Sequence, residues 1–254
     1  MAHSPYLQAA IDAARAGEAV IRRYWQRNVD VALKADRSPV TVADVEAEQA
    51  IKGVLQAAFP DHGFYGEETG RSGGEAGYLW LVDPIDGTKS FVRETPFFST
   101  QIALRRGGEF VLGVSNAPLF AELAWAEAGG GAFLNDRPLR VSTIDSLADA
   151  TLSFGNLKTL AGDRRWAAVG ELVRQANRSR GYGDFCHYHL LAAGKLDAVI
   201  ESDVNILDVA ALAVIVEAAG GRVTDLAGGP LTLDSTAILA SNGRLHDRLL
   251  ACLA

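Results

Sequence analysis

An α+β or layered α/β/α architecture is predicted by the order of patterns in this 254-residue chain. Three observations carry that expectation: two amphipathic helices come first, a run of short strands follows, and strands and helices then alternate to the end. A regular barrel would alternate throughout. No internal repeat and no low-complexity linker breaks the series. The length allows one large domain or two smaller ones sharing an interface.

The first helix is expected over Pro5 to Gln26, where Leu7, Ile11, Ala14, Ile21, Tyr24 and Trp25 share one stripe behind a Ser4 cap and a Pro5 start. A second should run from Val42 to Phe59, with Val45, Ile51, Val54, Leu55 and Ala58 inward and Pro60 as the stop. Lys34 to Pro39 reads as a polar loop between them. Strands follow at Tyr78 to Val82, Thr100 to Leu104, Val111 to Ser115, Leu123 to Trp125 and Ala132 to Leu134, each bounded by Gly, Pro or Asp. The later alternation predicts strands near 151–154, 198–201, 222–224 and 238–240. Helices are expected at 164–175, 185–193, 208–219 and the C-terminus. The two styles meet near residues 136–148, which divides the chain into units 1–140 and 141–254.

Composition narrows the function classes. The chain is 48% hydrophobic and 22% charged, an ordinary globular balance. Lys and Arg number 24 against 31 Asp and Glu, a net charge of −7 with no basic block, so a nucleic-acid partner is not expected. Two cysteines, Cys186 and Cys252, form no C-x-x-C pair, and residues 1–8 lack a basic start and apolar core, which together suit a cytoplasmic protein. The longest strictly apolar stretch, Val209 to Val216, is far shorter than the ~20 residues that span a bilayer.

The candidate chemistry is a set of carboxylates at the ends of elements. In Trp80-Leu81-Val82-Asp83-Pro84-Ile85-Asp86-Gly87-Thr88 a buried strand runs into two acids three apart; Pro84 should halt the ladder there and Gly87 permit a turn. Phe64-Tyr65-Gly66-Glu67-Glu68 ends another strand with paired acids, which repel unless solvent or a cation separates them. Asp208 opens an apolar helix, where it also suits the helix dipole. Asp44, three residues after Thr41, fits a capping box. Each acid has a local role, yet Asp44, Glu67, Asp83, Asp86 and Asp208 all fall where an element begins or ends, as an oxygen-rich Mg²⁺ site requires.

These motifs resemble those of the inositol monophosphatase superfamily. The resemblance rests on Lys34-x-Asp36-x-Ser38-Pro39-Val40-Thr41-x-x-Asp44, Gly66-Glu67-Glu68, the Trp80 to Thr88 segment, and Asp208-Val209-Ala210-Ala211 followed by Glu217-Ala218-Ala219-Gly220-Gly221, four ordered motifs over nearly the whole chain. It implies an α/β/α/β/α sandwich, a homodimer, and two or three Mg²⁺ ions held by Glu67, Asp83, the Ile85 carbonyl, Asp86 and Asp208, with Asp83 bridging. It implies further that Thr88, paired with Asp44 or Glu67, orients and deprotonates the attacking water. The substrate phosphate would then meet the Gly87 and Thr88 amides and the Asp208 end of the site. Most ligands would lie in residues 1–140; the last ligand and the specificity residues would lie in 141–254. In the family, the loop carrying Lys34 can close over the site.

The substrate class also follows from the resemblance. Arg180-Gly181-Tyr182-Gly183-Asp184-Phe185-Cys186-His187-Tyr188 stands where inositol phosphatases begin a helix with Gly-Ser-Ala, and is similar to the histidinol-phosphate phosphatase branch. Asp184 and Glu201 would supply anionic partners for an ammonium group that neutral inositol lacks; helix capping is the local alternative for Asp184. The expectation is hydrolysis of L-histidinol phosphate in histidine biosynthesis. Alternatives are inositol-1-phosphate or, from the similarity of Asp86-Gly87-Thr88-Lys89, 3′-phosphoadenosine 5′-phosphate. A catalytically silent member would be expected to lack a ligand, and all five acids and Thr88 are present. Leu207 replaces the Trp that most of the family carries before Asp208. His187 and His189 are expected as pocket walls or surface residues.

Overall fold

The computed structural model describes residues 3–27, 31–34, 39–73 and 77–254. Of the motif residues, Asp36 and Ser38 lie outside them, as does most of the expected 34–39 loop. Helix α1 (Pro5–Tyr24) starts where Ser4 Oγ accepts the Leu7 amide at 3.1 Å, and it buries Leu7, Ile11, Ala14 and Ile21 along one stripe. It ends two residues before the expected Gln26. Trp25 leaves the helix with ψ 131° so that its ring packs on Phe91 and Phe98. A small antiparallel pair, β1 (Val31–Leu33) and β2 (Pro39–Thr41), leads into α2 (Val42–Ala58), whose start is a complete Thr41–Asp44 capping box.

The first sheet is built from β3 (Gly63–Gly66), β4 (Gly70–Ser72) and β5 (Tyr78–Asp86), followed after a short helix α3 (Thr88–Val92) by β6 (Ser99–Arg106), β7 (Glu109–Ala117), β8 (Glu122–Glu127), β9 (Gly131–Leu134) and β10 (Arg137–Pro138). Its order is β10-β9-β8-β7-β6-β5-β3-β4. Strand alternation sends Trp80 and Val82 to the α1/α2 face and Leu79 and Leu81 to the other. The second sheet uses β11 (Thr151–Gly155). After α4 (Leu157–Gly162) and α5 (Trp166–Gln175) it adds β12 (Arg178–Arg180), and after α6 (Asp184–Ala192) it adds β13 (Ala198–Ser202). After α7 (Ile206–Ala218) come β14 (Arg222–Asp225), β15 (Ala237–Ser241) and the closing helix α8 (His246–Leu253), giving the order β12-β11-β13-β15-β14.

Helix α7 explains how the sheets stack. It is apolar on every face, with every residue from Val209 to Val216 buried, and such a helix is stable only with cover all round. It lies with α6 between the sheets, in one core with Leu81 and Ala103 from the first and Val199, Val223 and Ile238 from the second. Gly113 on β7 permits the close approach, since a Cβ there would overlap the backbone of Ala211. The outer face of the second sheet is covered by α4, α5 and α8 through Leu160, Leu172 and Leu249. The layers are therefore α/β/α/β/α, the sandwich the resemblance implies.

Two local expectations are corrected. Pro84 does not halt β5, which runs on to Asp86: the pairing with β6 slips by one residue between Asp83 and Asp86, and the bulge takes the proline where no ladder donor is needed. The fifth helix begins at Trp166 rather than Arg164, because Asp163 Oδ1 accepts the Arg165 amide at 2.8 Å and ends the preceding turn. Among the described residues no helix is long and apolar enough to cross a membrane.

Candidate functional site

The bulge in β5 and the first turn of α7 bring three acids together. Side-chain oxygens of Asp83, Asp86 and Asp208 lie within 4.8 Å of one another, Asp83 and Asp86 buried and Asp208 partly so. Local bonds aim each one. Asp83 Oδ1 accepts the Ile85 amide at 2.9 Å across the bulge. Asp86 Oδ2 lies 3.4 Å from Ser99 Oγ, which itself accepts Gln101 Nε2 at 2.8 Å. Asp208 completes a capping box with Asn205, its Oδ2 taking the Asn205 amide at 2.8 Å, so its local role and its place in the cluster coexist. Leu207 beside it is buried in the interlayer core.

Burial holds Asp83 and Asp86 well above the usual carboxylate range. The charges of Glu67, Asp208 and Asp86 push Asp83 further, and those of Asp184, Asp208, Glu201 and Glu67 push Asp86. Asp208 is raised to about 7, burial again leading. Glu67, set by its amide bond to the Val82 carbonyl (3.1 Å), gives Oε1 to Lys34 Nζ at 2.9 Å, while its buried Oε2 has no hydrogen-bond partner among the described residues. An all-oxygen set of mutually repelling buried acids with an unsatisfied carboxylate oxygen beside it fits a small hard dication.

Thr88 follows the bulge and turns back onto it. Its Oγ1 is 3.0 Å from both Asp44 Oδ1 and the Ile85 carbonyl, so of the two expected partners it is Asp44, not Glu67, that receives the hydroxyl. Asp44 also takes the Thr41 amide at 2.8 Å and the Thr41 hydroxyl at 2.6 Å on its other oxygen. Capping and pairing with Thr88 are thus done by one buried carboxylate. Gly87 precedes α3 with φ +93°, and a Cβ there would come within 2.7 Å of the Phe97 carbonyl, so only glycine turns the chain here.

Asp86 and Asp208 share their cleft with Asp184, Glu201, Asn156 and Tyr188. Asp184 is the first residue of α6, directly after the Gly183 cap, so it is an acid of the first turn rather than the cap itself. Its φ of +46° is a left-handed conformation that Asp and Asn tolerate better than most residues. Burial and the Glu201 charge raise it to about 6. Glu201 is 5% exposed and receives Tyr188 O–H at 2.7 Å.

His187 and His189 are neither surface residues nor lining of this cleft. Both are buried in α6: His187 Nε2 lies 3.1 Å from Glu201 Oε2, and His189 is set between Ser115 Oγ (2.9 Å) and Glu122 Oε2 (2.8 Å). Ser115 is fully buried, so this Ser-His-Glu set offers no reachable nucleophile and serves to pin α6 to β7 and β8. Lys34 is not solvated either, bridging Glu67 and, at 2.7 Å, Glu68. Sequence reasoning missed Glu48, whose two oxygens accept the Glu68 (2.7 Å) and Thr69 (2.9 Å) amides and so fix the loop carrying Glu67. Its signal was present as an acid in the buried Asp44-Ala47-Ile51-Leu55 stripe of α2. Gly66 gives it room, since a Cβ there would overlap the Glu48 carboxylate.

The inositol monophosphatase family matches residues 2–254. The chain is 38% identical to a histidinol-phosphatase of Mycobacterium tuberculosis, over all of this chain and 99% of that one. It is 36% identical to an inositol-1-monophosphatase of Rhizobium meliloti, over 98% and 96%. The solved structure of the extragenic suppressor protein SuhB from Bartonella henselae superposes with a TM-score of 0.90 at 34% identity, covering 98% of each chain. With the acid cluster, the Asp44–Thr88 pair and this whole-length match, the chain belongs to the inositol monophosphatase family and is a phosphoric monoester hydrolase.

Proposed function

We propose that the enzyme is a Mg²⁺-dependent phosphomonoesterase that hydrolyses L-histidinol phosphate to L-histidinol and phosphate. The observation that carries the substrate is that two carboxylates, the buried Glu201 and the partly buried Asp184, line the same cleft as Asp86 and Asp208. A phosphate at the acid cluster would leave the substrate's ammonium beside those two groups, where charge-assisted hydrogen bonds are strongest. The histidinol-phosphatase relative supports the same reading.

Glu67, Asp83, Asp86, Asp208 and the Ile85 carbonyl would hold the ions. Bound Mg²⁺, in two or three sites, would neutralise acids and phosphate, activate water and stabilise the leaving oxygen. Thr88 Oγ1 would accept a hydrogen bond from the attacking water while donating its own to Asp44 Oδ1, so that Thr88 orients the water and, as it takes the water's proton, passes its own to the Asp44 carboxylate. The Gly87 turn presents the Thr88 amide to the phosphate. Lys34 braces Glu67 from the loop side.

A phosphate-release assay tests this. Histidinol phosphate should be turned over with Mg²⁺ and not with EDTA, and faster than inositol-1-phosphate or 3′-phosphoadenosine 5′-phosphate; preference for either of those would reassign the substrate.

A further inference from the structure

Glu201 does not reach the cleft unaided. Its Oε2 is taken twice, by Tyr188 O–H at 2.7 Å and by His187 Nε2 at 3.1 Å, both from α6. Its Oε1 accepts no hydrogen bond among the described residues and lies over Gly155, where any Cβ would overlap it. Glu201 and Gly155 are register partners on adjacent parallel strands, β13 and β11, so the glycine is what lets the carboxylate lie there.

The contact with Glu201 decides which nitrogen of His187 has to carry a proton. Nδ1 lies 3.3 Å from Ser153 Oγ, and that oxygen already accepts the Tyr182 amide at 3.3 Å. A hydroxyl oxygen keeps a second lone pair, so Ser153 Oγ can meet Nδ1 as donor or as acceptor. At Nε2 there is no such choice: a carboxylate oxygen only accepts, so the contact with Glu201 is a hydrogen bond only with a proton on Nε2. Tyr182 N–H, Ser153, His187 and Glu201 form one hydrogen-bonded chain that runs from a backbone amide to the cleft, its Ser153 and His187 side chains wholly buried. His187 touches the cleft nowhere, being absent from its lining.

Resting on the substrate reading above, we infer that His187 is a positioning residue for substrate selection. With Tyr188 it saturates Glu201 Oε2, fixes the rotamer, and leaves Oε1 as the oxygen of Glu201 that is free to accept from the substrate's ammonium. Asp184 begins the same helix one turn earlier, so α6 sets both anionic partners at once.

The test compares kcat/KM for histidinol phosphate with that for p-nitrophenyl phosphate, whose leaving group has neither amine nor hydroxyl. In His187→Leu the ratio should fall roughly tenfold, through KM, as expected for a misaligned hydrogen bond to charge. His187→Gln, which keeps an N–H near the same place, should recover most of it. An equal loss on both substrates, or an unchanged ratio, would overturn the role. Side-chain ¹⁵N NMR of the unaltered Mg²⁺-loaded enzyme supplies a readout free of any substrate: a proton on Nε2 of His187 supports the clamp, and a neutral ring protonated only at Nδ1 refutes it. If the unaltered enzyme does not favour the ammonium ester, the substrate reading fails while the NMR result still decides the clamp.

Discussion

Thr88 Oγ1 and Asp44 Oδ1 meet at 3.0 Å across 44 residues of chain, joining the first turn of α3 to the first turn of α2 beside the acid cluster. This pair ties the Thr88 hydroxyl to a carboxylate already fixed by its helix cap. Thr88→Val, nearly equal in volume, should lower kcat by roughly 10²- to 10⁴-fold with little change in melting temperature, and Thr88→Ser should keep most of the activity. Steady-state kinetics and thermal unfolding check both.

Removing charge from the cluster should separate activity from stability. Asp83 is buried against three other carboxylates, so Asp83→Asn relieves repulsion at constant volume. The variant should lose turnover and melt higher than the parent in EDTA, an advantage that disappears when Mg²⁺ stabilises the parent by mass action. A lower melting point in EDTA would show that Asp83 is not strained by its neighbours.

The site depends on the seat of α7. Gly113→Ala would push a Cβ into the backbone of Ala211, three residues from Asp208, and overpacking of this kind costs about 1–3 kcal/mol. We expect that loss in chemical denaturation together with weaker Mg²⁺ stabilisation, because displacing the helix moves one acid away from the other two.

His246 gives a pH signature away from the site. It is buried between Thr224 Oγ1 (3.0 Å) and Ser241 Oγ (2.8 Å), and burial, aided by Arg222, lowers its pKa from 6.5 to about 4. Between those values the unfolded chain binds a proton that the folded protein does not. Its stabilising contribution is present above about pH 6.5 and is lost progressively as pH falls toward about 4. The melting-temperature difference between parent and His246→Asn should therefore shrink across that interval, and a difference independent of pH would refute the assignment.

The fold and much of the site were legible because their signals are local. Asp83, Asp86, Gly87 and Thr88 lie within one short segment, and Asp208 marks a helix start. The periodicity of α1, α2 and the wholly apolar α7 dictates layers that must cover them. What escaped depends on partners distant in sequence: Lys34 with Glu67, Glu48 with the Glu68 and Thr69 amides, and His187 with Glu201. No spacing rule encodes those meetings. Strand β12 escaped because Arg178-Ser179-Arg180 has no apolar alternation and forms only by pairing at the edge beside β11. Pro84 misled because a bulge, which a propensity argument does not foresee, accommodates it within the strand.

The central claim is that an acidic metal cluster and the Asp184–Glu201 pair together make an amine-selective phosphatase. The most direct measurement is the ratio of kcat/KM for histidinol phosphate to that for inositol-1-phosphate at saturating Mg²⁺, in the parent and in Asp184→Asn. Asn tolerates the left-handed backbone of position 184 as Asp does, so the variant isolates the charge. The account predicts a ratio well above one that collapses in the variant; a parental ratio at or below one, or a ratio unmoved by the substitution, would contradict it.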